Sequence, residues 1–201
     1  MNLAHSGYRP TAIGIDFDFE IILGTLKKTA GALRDAEVPF ALGGGLAVWA
    51  RGGAKTEHDV DFFVKPEDAE GAQHALVQAG LEPETPPEGW LLKAWDGQVL
   101  VDLIFEPRGG PITDEWLERA DELDVYAVTM LVASLDDVLV TKLLALNEQN
   151  LDYSGVLEMA RAVREQIDWD DVRLRAQGSP YATAFLVLVE ELGVAPAGAP
   201  R

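Results

Sequence analysis

Leu42-Gly43-Gly44-Gly45-Leu46 and, thirteen residues after the last glycine, His58-Asp59-Val60-Asp61-Phe62 are the stretches on which the reading of this chain turns. In Asp59-Val60-Asp61-Phe62-Phe63-Val64 the β-branched and aromatic content predicts a strand, where residues two apart share a face. Asp59 and Asp61 therefore point the same way, roughly 6–7 Å apart along the backbone, while Val60 and Phe62 point into a core. Two carboxylates side by side in an apolar strand repel each other and resist desolvation, so they rise in pKa or gather a cation. A lone Asp-x-Asp is more often a strand end whose acids face water. A third acid shifts that balance.

Trp90 to Trp95 and Gln98 to Phe105 read as two strands joined by a hairpin turn at Asp96-Gly97. Asp102 falls inside the second strand among Val101, Leu103 and Ile104, where an acid has no packing role and a buried charge needs a partner. If that strand lies beside the Asp59 strand, three carboxylates meet on one surface. Such hard oxygen ligands suit magnesium, and three of them are enough for a two-metal site that activates a hydroxyl and steadies the leaving phosphates.

The glycines have a separate logic. Pro39-Phe40-Ala41-Leu42 predicts a short buried strand, and Leu46 to Arg51 a helix that stops at Gly52-Gly53. Glycines between a strand and a helix N-terminus let backbone N–H groups approach a phosphate, although tight strand-to-helix packing explains one or two of them equally well.

Gly44-Gly45, a spacer, Asp59-Val60-Asp61 and a distant Asp102 together resemble the signature of the polymerase-beta-type nucleotidyltransferase superfamily, over residues 38–106. The resemblance implies a mixed, twisted α/β (α+β) sheet core. It further implies that Gly44 and Gly45 approach a nucleoside triphosphate (NTP), that Asp59 and Asp61 bind two Mg2+ ions, and that Asp102 completes the metal set and helps activate a hydroxyl. Many members carry Arg-x-Thr-x-Asp-x-Asp; here Lys55-Thr56-Glu57-His58 precedes Asp59, with Glu57 where the threonine usually stands. His58 alternates with Asp59 and is read as structural.

Around this core, Phe19 to Ala36 predicts an amphipathic helix with Ile22, Leu26, Ala30 and Leu33 on one face. Residues 1–15 read as a loose arm. Pro66-Glu67-Asp68 opens a helix that Gly80 closes. Pro83 to Gly89 reads as a proline-rich turn, Glu106 to Pro111 as a linker, Thr113 as the start of a short helix and Tyr126 to Ala133 as a strand. Ser134-Leu135-Asp136-Asp137 has the form of a capping box, with aspartate in place of the usual glutamate. Four helices are expected after it, at 135–146, 153–166, 170–176 and 181–192, and residues 195–201 are expected to be disordered. The domain reading is a core over 1–133 followed by a C-terminal helical bundle over 134–201, covering the sheet and walling a cleft.

Lys142, on the first of those helices, can snorkel to water from an apolar surface. The segment Lys142-Leu143-Leu144-Ala145-Leu146 also resembles the helix that follows the core in nucleotidyltransferase toxins of the AbiEii and MenT type. That resemblance makes Lys142 a nucleotide contact and suggests a tRNA end as acceptor and an antitoxin protein as partner.

The 201 residues are 48% hydrophobic and carry 16 Lys and Arg against 34 Asp and Glu, a net charge of −18. That balance opposes general DNA or RNA backbone binding and suits a cationic small hydroxylated acceptor, as in an aminoglycoside-type transferase. Lys27, Lys28, Arg34, Arg161, Arg164, Arg173 and Arg175 are read as solvated helix faces balanced by acids. The absence of cysteine excludes disulfides and thiolate chemistry. No leader is expected at Met1-Asn2-Leu3-Ala4-His5 and no apolar run nears the roughly 20 residues of a membrane span, which leads to a cytoplasmic expectation. The function expected from the resemblance is transfer of a nucleoside monophosphate from an NTP to a hydroxyl with release of pyrophosphate. A silent relative that only binds nucleotide or protein is the alternative outside catalysis.

Overall fold

The computed structural model describes residues 19–56 and 59–198. The expected arm at 1–15 and the reading of His58 lie outside them. A seven-stranded mixed sheet runs in the order β3-β4-β5-β2-β1-β7-β6. Its strands are β1 (Phe40–Leu42), β2 (Asp59–Val64), β3 (Glu82–Glu84), β4 (Leu91–Asp96), β5 (Val99–Ile104), β6 (Asp121–Val125) and β7 (Val128–Val132). β2 pairs with β5, and β1 with β7, in parallel; the other neighbours are antiparallel. Both central strands bury an apolar row, with Val60, Phe62, Val101 and Leu103 fully inaccessible.

Helices α1 (Phe19–Asp35) and α3 (Ala69–Gln78) pack against each other, α1 also on β2 and β5, and α3 on β4 and β5. The α1 contact is the stripe Ile22, Leu26, Ala30 and Leu33, all buried, because positions three and four apart share a helical face. Pro66–Asp68 forms a single 3-10 turn ahead of α3, with Pro66 at its first position, where its missing N–H costs nothing. Helix α2 (Gly44–Ala50) rests on β2 and on α5 (Leu135–Ala145). A short helix, α4 (Asp114–Leu117), is capped by the Thr113 hydroxyl. After α5 come α6 (Ser154–Val163), α7 (Trp169–Arg175) and α8 (Pro180–Glu191).

Four local expectations need correction. Pro83 lies in the edge strand β3 and not in a turn, a position that tolerates proline because one side of an edge strand makes no ladder bonds. The hairpin turn is Gly97-Gln98, one residue later than expected, with Asp96 paired to Val99 and Gly97 at φ +63°. Tyr126 does not begin a strand. It forms with Ala127 the turn between β6 and β7, both at positive φ, and the acidic run Asp121-Glu122-Leu123-Asp124 before it is an exposed edge strand. Finally, Ala195 to Gly198 is anchored on α8: Val194 and Ala195 are buried, the Ala195 N–H donates to the Val189 carbonyl, and the Gly198 N–H donates to Glu190.

Asp137 ties the C-terminal helices to the rest. Its backbone N–H donates to Ser134 Oγ at 3.0 Å, and the hydroxyl donates back to its carboxylate at 2.7 Å. The same carboxylate, 1% exposed, accepts from the Arg119 guanidinium at 2.8 Å and from Arg175. Arg175 also bonds Asp171, so this arginine is a tertiary tie and not a solvated helix face. Burial pushes the Asp137 pKa up, but the bonds from Arg119, Ser134 and Arg175 outweigh it and hold it below the ordinary value. Asp137→Ala removes the buried carboxylate that holds Arg119 and Arg175 together. Its expected cost is about 3 kcal/mol in urea denaturation, at the low end for breaking a buried pair because both arginines reach solvent.

Candidate active site

The third acid is placed by strand pairing. Parallel register sets Asp61 directly beside Asp102, so both carboxylates leave the same face, and Asp59 shares it by strand period. One carboxylate oxygen from each of Asp59, Asp61 and Asp102 lies within 4.8 Å of the other two, and all three side chains are half-buried. The Asp102 Oδ1 atom is buried without a hydrogen-bond partner among the described residues. A buried carboxylate oxygen left unpaired beside two more acids is costly unless a cation sits among them. The donor set, hard oxygens only, fits a divalent ion such as magnesium.

The electrostatics agree. Burial raises the Asp61 pKa well above the ordinary value, Asp59 and Asp102 raise it further, and Lys142 and Lys93 oppose them. Asp102 is pushed up to about 6, first by burial, with Lys93 opposing and Asp59 adding. A carboxyl whose folded pKa exceeds its unfolded value stabilises the fold only while protonated. That stability is present below about pH 4 and is lost as pH rises toward 6. Asp102→Asn therefore removes a burden from the metal-free protein. In chelator, the variant should be about 1–2 kcal/mol more stable than the parent at pH 7.5, a value discounted for partial solvent screening, with the gap closing near pH 4. Thermal denaturation at the two pH values checks it, and an unchanged gap refutes it.

The glycine turn meets these acids by contact. Gly43 N–H donates to the Asp61 carbonyl at 2.8 Å, and Gly44 opens α2 at φ +52°. A Cβ on Gly44 would stand 1.6 Å from Asp61 Oδ2. Glycine is needed there both for the left-handed backbone and because the carboxylate occupies the space of a side chain. Gly45 differs. Its missing Cβ faces Thr56 at 2.7 Å, which makes it a packing contact with the segment before β2, and it does not line the cleft.

That cleft has a volume of about 1010 Å³. Gly44, Asp61 and Asp102 form its floor, Glu88 and Trp90 just before β4 and Glu106 after β5 lie on its wall, and Lys142, Asn147 and Asn150 come from α5 and the loop after it. The structure thus brings together Asp59, Asp61, Asp102, Gly44 and Lys142, and leaves Gly45 behind the turn. Sequence reasoning missed Lys93. With the turn placed at Gly97-Gln98, Lys93 pairs with Asp102 and shares its face; with the turn one residue earlier, Asp102 would have faced Leu91. The glycine at the first turn position was the signal that could have set the register.

A family model described as "Nucleotidyl transferase of unknown function (DUF2204)" matches residues 22–184. No curated protein sequence matches the chain significantly. Among solved structures, the antibiotic-resistance factor ANT(2'')-Ia is similar in its solution structure at TM-score 0.61 and 14% identity, over 89% of this chain and 99% of that one. Its crystal structure in complex with adenylyl-2''-tobramycin is similar at TM-score 0.61 and 16% identity, over 81% of this chain and 98% of that one. JHP933 from Helicobacter pylori is similar at TM-score 0.51 and 13% identity, over 89% and 81%.

Proposed function

The chain belongs to this nucleotidyl transferase family, and from that premise we propose that it transfers a nucleoside monophosphate from an NTP to a hydroxyl acceptor. The acceptor oxygen bonds to the α-phosphorus, the bond from that phosphorus to the α–β bridging oxygen breaks, and pyrophosphate leaves. The observation that carries this reading is the convergence of three carboxylates, one with an orphaned oxygen, beneath a glycine turn and across a cleft from a lysine.

In this reading Asp59, Asp61 and Asp102 would hold two Mg2+ ions, which would supply charge neutralisation at the phosphates and a lowered pKa at the acceptor hydroxyl. Asp102 takes up the acceptor proton. Lys142, half-buried on α5, faces the triphosphate. The Gly44 turn brings backbone close to the phosphates where a side chain would exclude them. Positioning supplies most of the acceleration. Residues up to 133 carry the acids, and α5 with the loop after it walls the cleft. Among the described residues no helix is long and apolar enough to cross a membrane, and we place the reaction in the cytoplasm, where NTPs are abundant.

A small hydroxylated acceptor bearing positive charge suits the cleft, since Glu88 and Glu106 line its outer wall. The fold shared with ANT(2'')-Ia, seen with an adenylylated aminoglycoside, supports that choice. The toxin-like resemblance of the Lys142 helix keeps an RNA end, with an antitoxin partner, as the second reading. Incubation with each α-labelled NTP, magnesium, total RNA and an aminoglycoside panel separates them: label is expected in the small-molecule pool. Label confined to RNA supports the second reading. Nucleotide binding without pyrophosphate release overturns transfer.

A further inference from the structure

A second pocket, about 430 Å³, opens from the catalytic cleft around α5, and the two share Pro107, Arg108, Gly110 and Thr141. Helical period explains the arrangement: Val138, Lys142 and Ala145 face the cleft, Val140 and Leu144 face the second pocket, and Thr141 stands on the border. Three arginines line this pocket, Arg108, Arg119 and Arg175. Asp137 and Asp171 answer two of them. Arg108, exposed beside Gly109-Gly110, pairs with no described residue. Arg175 donates from one terminal nitrogen to Asp171 and from the other to Asp137, and its Nε donates to none of the described residues.

Three guanidinium groups line this cavity with one carboxylate, Asp171, while Asp137 lies beneath them and Asp136 is within electrostatic reach of Arg175, so in a chain of net charge −18 the unanswered positive charge of the cavity is that of Arg108. Asp137, 1% exposed, fixes Arg119 and Arg175 before any ligand arrives. Guanidinium forks match phosphoryl oxygens bidentately. We infer that this pocket is a phosphoryl-anion site which receives the pyrophosphate released in the cleft, next along α5 from Lys142, with Arg108 at the passage between them.

The inference rests on the transfer reading only for the source of the anion; binding itself is testable without turnover. Inorganic pyrophosphate is titrated calorimetrically into the full chain in excess chelator, for the parent, Arg108→Ala, Arg108→Glu and Lys142→Ala. One equivalent is expected to bind the parent, at least tenfold more weakly to Arg108→Ala and not measurably to Arg108→Glu, with Lys142→Ala within threefold of the parent. Melting temperatures should be unchanged in the Arg108 variants, since no described residue pairs with that side chain. No binding to the parent, equal binding to both Arg108 variants, or loss in Lys142→Ala alone overturns the site. Arg108-dependent binding in a protein that turns over no NTP leaves the anion site standing and removes the transfer reading.

Discussion

Asp61→Asn abolishes NTP turnover, by roughly 10³-fold or more, while the metal-free protein becomes no less stable than the parent. The first half follows from position. Asp61 is the middle carboxylate of three, within 4.8 Å of both others, and an amide there removes one negative charge and one anionic ligand. Preorganised charge of this kind is worth about 10²–10³ in rate per group, and more where two cations depend on it. The second half follows from the same burial. A carboxyl whose pKa is raised well above the ordinary value disfavours the folded state at neutral pH, and asparagine does not. Pyrophosphate release and thermal denaturation in chelator, on the same preparation, test both halves. Full activity sinks the assignment of the site, and a large loss of stability makes Asp61 a structural residue instead.

Gly44→Ala should match that loss of turnover by a different route. The methyl would lie 1.6 Å from Asp61 Oδ2, so either the carboxylate rotates away from its neighbours or the turn moves. The left-handed φ of +52° adds about 1–2 kcal/mol for any residue with a Cβ. Because the contact is with the acid itself, divalent-cation affinity should fall together with turnover. If the glycine served phosphate approach alone, cation affinity in the absence of nucleotide would remain at the parental value. Gly45→Ala provides the contrast: its methyl meets Thr56, so stability should suffer more than chemistry.

Much of the molecule was legible from local pattern. The stripe Ile22, Leu26, Ala30 and Leu33, the alternation at Asp59 and Asp61, and the Ser134 cap each depend on residues a few positions apart. In each case the structure shows the corresponding burial, strand or hydrogen bond. The errors came where a local pattern has two solutions. Asp96-Gly97-Gln98 permits turns one residue apart, and only cross-strand pairing chose between them. The strand Asp121–Val125 was missed because its acids and exposed face carry little hydrophobic signal; pairing with β7 holds it.

What the chain's own order determined, then, is the pair Asp59 and Asp61 on one face and a glycine turn ahead of them, since strand period and the missing Cβ are properties of adjacent residues. Tertiary structure decided the rest. Asp102 stands beside Asp61 only because β5 enters in parallel next to β2, Lys142 shares their cleft because α5 packs on α2 beside them, and three arginines from distant segments share one pocket. Parallel neighbours have no hairpin to announce them. Their adjacency is set by burying both apolar strands at once, a condition that belongs to the whole core and is written in no single window of the sequence.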